Sequence, residues 1–190
     1  MGTSIRRTLL ASALAATVAT AGSASALGSR SATWKTFTST RYGYSLAYPP
    51  GWRVVKATTS TMAEGFPTEP QPAVDKFLSC GDNCPTGIAV VVYARKLPAA
   101  KTLLAFATDE ASALASGYAC GKPKSRRHAT LAHEPAIALT YPICLGNYLV
   151  EYALVHHGRG FDIYLLAPPG HEKRDRTTLL SLLKTLRFTE

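Results

Sequence analysis

The sequence lacks most of the short patterns that mark an enzyme. It has no G-x-S-x-G turn to expose a nucleophilic serine and no glycine-rich loop to cradle a phosphate. Positive marks of serine hydrolases and nucleotide enzymes are therefore missing, and only a hydrolase with a dispersed, unrecognised active site stays open as an alternative. The five histidines never fall at H-x-x-x-H or H-E-x-x-H spacing, so no helix offers two imidazoles to one metal. His156 and His157 are adjacent, and neighbours on a strand point to opposite faces unless the turn at Gly158 twists them together. No metal and no cofactor are expected. No internal repeat is visible, and no interleaved basic and aromatic motif points to nucleic acid. Acidic residues are also scarce, 12 against 21 Lys and Arg, giving a formal net charge of +9. Such a balance favours acidic neighbours, among them phospholipid head groups and anionic wall polymers.

Near the amino terminus, Arg6 and Arg7 precede a stretch, residues 8–21, without any charge, and Ala24-Ser25-Ala26 forms an A-x-A exit. This is the layout of a cleavable signal peptide over residues 1–26, with a mature start near Leu27. A membrane span needs roughly 20 strongly apolar residues, and this Ala- and Thr-rich run is too short and too weak. The adjacent arginines also suit the twin-arginine export route, although Ile5 and Leu9 stand where that route favours other residues. Cleavage takes two positive charges and no acid with it. The expected organisation is a signal peptide at 1–26, a small polar lead-in at 27–34 and a single domain at 35–190. The protein is expected to be extracytoplasmic and monomeric, with no membrane span after cleavage.

Within that domain, Tyr42, Tyr44, Leu46 and Tyr48 alternate with small residues, the period of a half-buried strand. Trp52, Val54 and Val55 form a second extended piece expected to fold back under the first. Residues 57–86 hold four prolines without periodicity and read as a long surface excursion. Residues 88–94 are continuously apolar and β-branched, as in a strand covered on both faces. Residues 102–116 switch to helical spacing, with Thr102 as N-cap and Gly117 as stop. A meander follows at 127–131, 136–144, 148–156 and 161–167, with turns expected at 132–135, 146–147 and 158–160. Residues 172–186 repeat leucines at three and four, a second helix, and Arg187, Phe188 and Thr189 close the chain in extended form. The sum is an α+β fold: an antiparallel sheet of about six strands flanked by helices.

All four cysteines, Cys80, Cys84, Cys120 and Cys144, follow the signal, and an even count outside the cytoplasm reads as two disulfides. Across the first meander hairpin Cys120 and Cys144 fall nearly opposite each other, which pairs them and leaves a local Cys80–Cys84 bridge. A disulfide partner for every cysteine leaves none as a thiol nucleophile.

The segment YGYSLAYPPGWRV at residues 42–54 resembles the opening of PsbP-like domains, which begin with a Tyr-Gly-Phe-Ser-type strand and a Pro-x-x-Trp turn. The order that follows, from long loop through strand, helix and four-strand meander to a last helix and a Leu-x-Phe end at residues 186–188, is similar too. The resemblance covers about residues 35–190. It implies the sandwich shared with Ran-binding proteins of the Mog type, and an accessory or binding role rather than catalysis; shared fold does not by itself transfer function.

The expected function is that of a secreted, non-enzymatic binding or accessory protein of the cell envelope, with an envelope component or anionic polymer as partner. The strongest polar signal for such a partner is the basic run Lys122, Lys124, Arg126 and Arg127, a possible anion-binding face. Lys173, Arg174 and Arg176 add a second basic group. Charge that guards an exposed strand edge accounts for the same residues.

Overall fold

The computed structural model describes residues 33–58, 73–80, 87–118 and 120–189. The expected signal peptide and Cys84 lie outside them. The described residues form an antiparallel α+β sandwich, as the sequence implies, with a hydrophobic cluster on each face of its larger sheet. The strands, in chain order, are β1 (Lys35–Ser39), β2 (Tyr44–Tyr48), β3 (Arg53–Val55), β4 (Asp75–Leu78), β5 (Ala89–Lys96), β6 (Ser125–Leu131), β7 (Glu134–Cys144), β8 (Asn147–His156), β9 (Arg159–Ala167) and β10 (Arg187–Phe188). Helix α1 (Leu103–Gly117) precedes β6, and α2 (Glu172–Leu183) precedes β10.

The strands form two sheets rather than one. A seven-stranded sheet runs β3-β4-β5-β9-β8-β7-β6, and a three-stranded sheet runs β1-β2-β10. The larger strand count corrects the expectation of about six. Short strands of three to five residues, such as β3 and β4, carry too few alternations for a period of two to stand out. Strand β3 was expected beneath β2, but it pairs with β4 in the other sheet, Val54 opposite Phe77. Strand β4 in turn lies inside the stretch read as a surface excursion.

The large sheet is covered on both faces, which explains the near-continuous burial of β8. On one face, Phe106, Ala107 and Ala111 of α1 pack on Leu139, Tyr141, Leu149 and Ala153. On the other, Leu179, Leu182, Leu183 and Leu186 meet Val92, Val150, Leu154 and Leu165, together with Phe37, Tyr44 and Leu46 of the small sheet. Thr102 caps α1 by accepting the Ala105 N–H at 3.2 Å, as its position implies.

All three hairpins of the meander turn on two residues with positive φ: Ala132 and His133, Leu145 and Gly146, His157 and Gly158. These are type I′ turns, whose twist matches the flanking strands. The turns expected at 146–147 and 158–160 therefore start one residue early. Glycine takes the second left-handed position, and Leu145 and His157 take the first.

Cys120 and Cys144 form a disulfide across 24 residues, which for a loop of that size stabilises by about 3 kcal/mol in the chain-entropy model. Cys120 sits before β6, so the bridge ties the exit of α1 to the β7–β8 hairpin. Cys80 follows β4; its expected partner Cys84 is outside the described residues. No described helix is long and apolar enough to cross a membrane.

Candidate anion-binding cleft

Two turns that are far apart in sequence face each other at one end of the molecule. The first joins β1 to β2. Gly43 adopts φ +71° there and donates its N–H to Ser39 at 2.9 Å, closing the turn around Arg41 and Tyr42. Its missing Cβ also lets Thr189 approach, donating to the Gly43 carbonyl at 2.9 Å, where a Cβ would stand 3.3 Å from the Thr189 oxygen. The second turn joins β8 to β9 and brings His156, His157, Arg159 and Phe161. Between the two lies a cleft of about 480 Å³.

The floor of the cleft is fixed from below by Asp75 of β4. Its buried carboxylate accepts from Ser39 Oγ at 2.6 Å, from Tyr44 Oη at 2.9 Å and from the Ala57 N–H at 2.8 Å. Tyr42 Oη donates to the Ala73 carbonyl. One wall is an aromatic stack, with His156 lying 4.0 Å from His157 on one side and 4.0 Å from Phe188 on the other. His156 Nδ1 is 2.8 Å from Glu134 Oε1, which sets the plane of the ring.

The charge in the cleft is positive. Arg159 reaches across to the Arg41 carbonyl at 3.4 Å, and the Arg41 guanidinium lies 5.8 Å from the Tyr42 ring centre. Burial pushes the Tyr42 phenol up, and the charges of Arg41 and Arg159 pull it back down, so both guanidiniums act on the same spot. Neither arginine has an ion-pair partner among the described residues. Two guanidiniums without an ion-pair partner among the described residues, Arg41 donating to the Thr58 carbonyl at 3.4 Å, form a donor set suited to a carboxylate or phosphate oxygen. A serine hydrolase would need a serine hydroxyl within hydrogen-bond reach of a histidine. Ser39 instead donates to Asp75.

The basic run read from the sequence sits elsewhere. Lys122, Lys124, Arg126 and Arg127 are exposed, the lysines before β6 and the arginines on it. β6 is an edge of the large sheet. Alternation sends Arg126 toward α1, where Nη2 is 3.5 Å from Thr108 Oγ1, and Arg127 toward the opposite face. The four cations therefore do not converge. Lys173, Arg174 and Arg176 lie at the start of α2, on the far face from α1. Arg174 is engaged by Asp175 at 2.7 Å. His128, His133 and His171 are dispersed, and no group of three or more metal-ligating side chains is arranged for an ion among the described residues.

Sequence reasoning missed Arg41, Tyr42 and Arg159. The first and last are 118 residues apart, and no local spacing announces a site made by two distant turns. The one available signal was Arg159 set between Gly158 and Gly160.

A second polar cluster was also missed, buried between α1 and the sheet. Glu110 of α1 accepts from Tyr93 Oη and Arg95, while Glu151 accepts from Tyr141 Oη at 3.2 Å. Burial, then the charge of Glu110, pushes the Glu151 carboxyl up to about 7. Burial and the neighbouring Glu151 raise Asp162 well above the usual carboxylate range. Glu151 Oε1 and Asp162 Oδ1 have no hydrogen-bond partner among the described residues, so two charges buried near each other there are disfavoured and the carboxyls hold on to protons more tightly.

No family model and no curated protein matches this chain. Solved structures do share its fold. Cyanobacterial PsbP (CyanoP) from Synechocystis sp. PCC 6803 superposes with a TM-score of 0.58 at 16% identity, covering 85% of this chain and 95% of that one. LpqN of Mycobacterium tuberculosis, involved in cell envelope biogenesis, gives 0.51 at 13% identity, covering 83% and 91%. The Saccharomyces cerevisiae Ran-binding protein Mog1p gives 0.50 at 10% identity, covering 84% and 97%. The chain thus has the PsbP-like fold that its opening motif resembles.

Proposed function

We propose that this protein is a secreted, non-enzymatic binding or accessory module of the cell envelope that takes an anionic group in the cleft between the β1–β2 and β8–β9 turns. The observation that carries the reading is the pair Arg41 and Arg159, which line one cleft, Arg159 donating to the Arg41 carbonyl at 3.4 Å, and which are both without a carboxylate partner among the described residues. Guanidinium forks recognise carboxylate and phosphate oxygens in two-pronged fashion. A wall polymer or lipid head group presents such oxygens in the compartment that the amino-terminal pattern and the disulfide favour. The envelope role of LpqN, which shares the fold, is in keeping with this.

Calorimetric titration with inorganic phosphate and with glycerol phosphate tests the proposal. Binding is expected for the wild type, weakening at least about tenfold in R41Q and in R159Q, since each removes a charge-assisted contact. Ligand heat that is absent in the wild type, or unchanged in the double variant, rejects the cleft as the site.

A further inference from the structure

The tip of the β7–β8 hairpin exposes apolar side chains that the fold does not use. Register shifts between Tyr141 and Cys144, leaving Pro142 and Ile143 outside the ladder. Such a bulge re-aims side chains, and Ile143 is 68% exposed. Leu145, on the other side of the buried Cys144, is 55% exposed and adopts φ 53°. Left-handed backbone is disfavoured for a side chain such as leucine, and a type I′ turn ordinarily places Asn or Gly there. Leu145 belongs to neither hydrophobic cluster. An outlier of this kind points from structure toward function.

Two lysines lie in the segment beside the same tip. The Lys124 N–H donates to the Thr140 carbonyl at 2.8 Å, so residues 120–124 run beside the end of β7. The Cys120–Cys144 disulfide fixes them there. Residues 120–133 and 135–150 contain Lys122, Lys124, Arg126 and Arg127 and no Asp or Glu. Two aliphatic side chains are far too little for a stable protein interface, which needs on the order of 800 Å² from each partner. They do suit a lipid boundary, where apolar groups enter the acyl region and lysines stay with anionic head groups.

We infer that the disulfide-braced tip docks the protein on an anionic lipid surface: Ile143 and Leu145 insert while Lys122 and Lys124 pair with the head groups. This surface is separate from the Arg41–Arg159 cleft and does not depend on what the cleft binds.

The test is co-sedimentation of the purified protein with vesicles of equal parts phosphatidylglycerol and phosphatidylcholine, against phosphatidylcholine alone. Binding to the anionic vesicles is expected, and it weakens with salt. The I143N/L145N double variant binds them at least about tenfold more weakly, and so does K122Q/K124Q. Asn is at ease at the left-handed position of Leu145, so L145N melts at or above the wild-type temperature, which separates lost docking from lost folding. The I143N/L145N variant keeps the phosphate binding of the Arg41–Arg159 cleft, so loss of docking at the tip and failure of the cleft are read separately. No binding to anionic vesicles, or binding that survives I143N/L145N, overturns the inference.

Discussion

Glu151 places a carboxyl where no water reaches it, in the middle of the strand run Val150-Glu151-Tyr152-Ala153. Its folded-state pKa of about 7 lies above its ordinary 4.5. The stability linked to its proton is therefore complete below about pH 4.5 and is lost as pH rises through about 7. Asp162 is shifted in the same direction, so the pair reinforces the trend. Gln at position 151 has no charge to bury and offers an N–H to Asp162. E151Q is expected to flatten the fall in thermal midpoint across that window and to exceed the wild type at alkaline pH by about 1–3 kcal/mol. A pH series of melting curves for both proteins measures this. A wild-type midpoint that rises from pH 4.5 to 7 contradicts the assignment. An acid inside an otherwise apolar strand was the signal that sequence reading passed over: period and burial mark such a position as core, and only its neighbours show what neutralises it.

At the scale of elements, α1 is seated by an aromatic ring lying on bare backbone. A Cβ on Gly160 of β9 would stand 2.7 Å from the Phe106 ring. Arg95 also approaches that ring, at 5.4 Å from its centre, and reaches on to Glu110. The helical spacing over residues 102–116 puts Leu103, Ala107, Ala111, Leu114 and Ala115 on one face, which has the right phase. It left out Phe106 and Glu110, which are both buried. Apolar spacing identifies the direction of the core but not the glycine across the interface that makes room for a large ring. Gly160→Ala is expected to push Phe106 off its seat and destabilise by about 1–3 kcal/mol, read as an earlier denaturation midpoint with an unchanged slope. A neutral result would mean that α1 shifts freely over the sheet. The same limit explains the hairpins. Their existence was legible from glycine and alternating strands, whereas the one-residue displacement of two turns depends on which residue tolerates positive φ.

For the whole molecule, the α+β class, both helices, the meander and the Cys120–Cys144 pair were readable because each rests on local period or on arithmetic across one hairpin. The division into two sheets was not. It depends on β2 finding β10 from the far end of the chain, with Ser45 opposite Arg187 and Tyr44 opposite Phe188. That arrangement has a consequence for the order of assembly. The meander from β6 to β9 is built from two-residue turns and closes quickly, since short loops lose little entropy before their contacts form. The small sheet cannot be completed until Arg187 and Phe188 have joined β2. Pulse-labelled hydrogen exchange during refolding is expected to protect amides of β7, β8 and β9 first and those shared by β2 and β10 last. Simultaneous protection throughout would contradict this order. Thr189 also lines the Arg41–Arg159 cleft, held by its hydrogen bond to Gly43, and Phe188 stacks behind His156 of its wall. The cleft is thus a late product of folding, completed together with the small sheet and the face of the core that Phe37, Tyr44 and Leu46 supply, after the meander has formed.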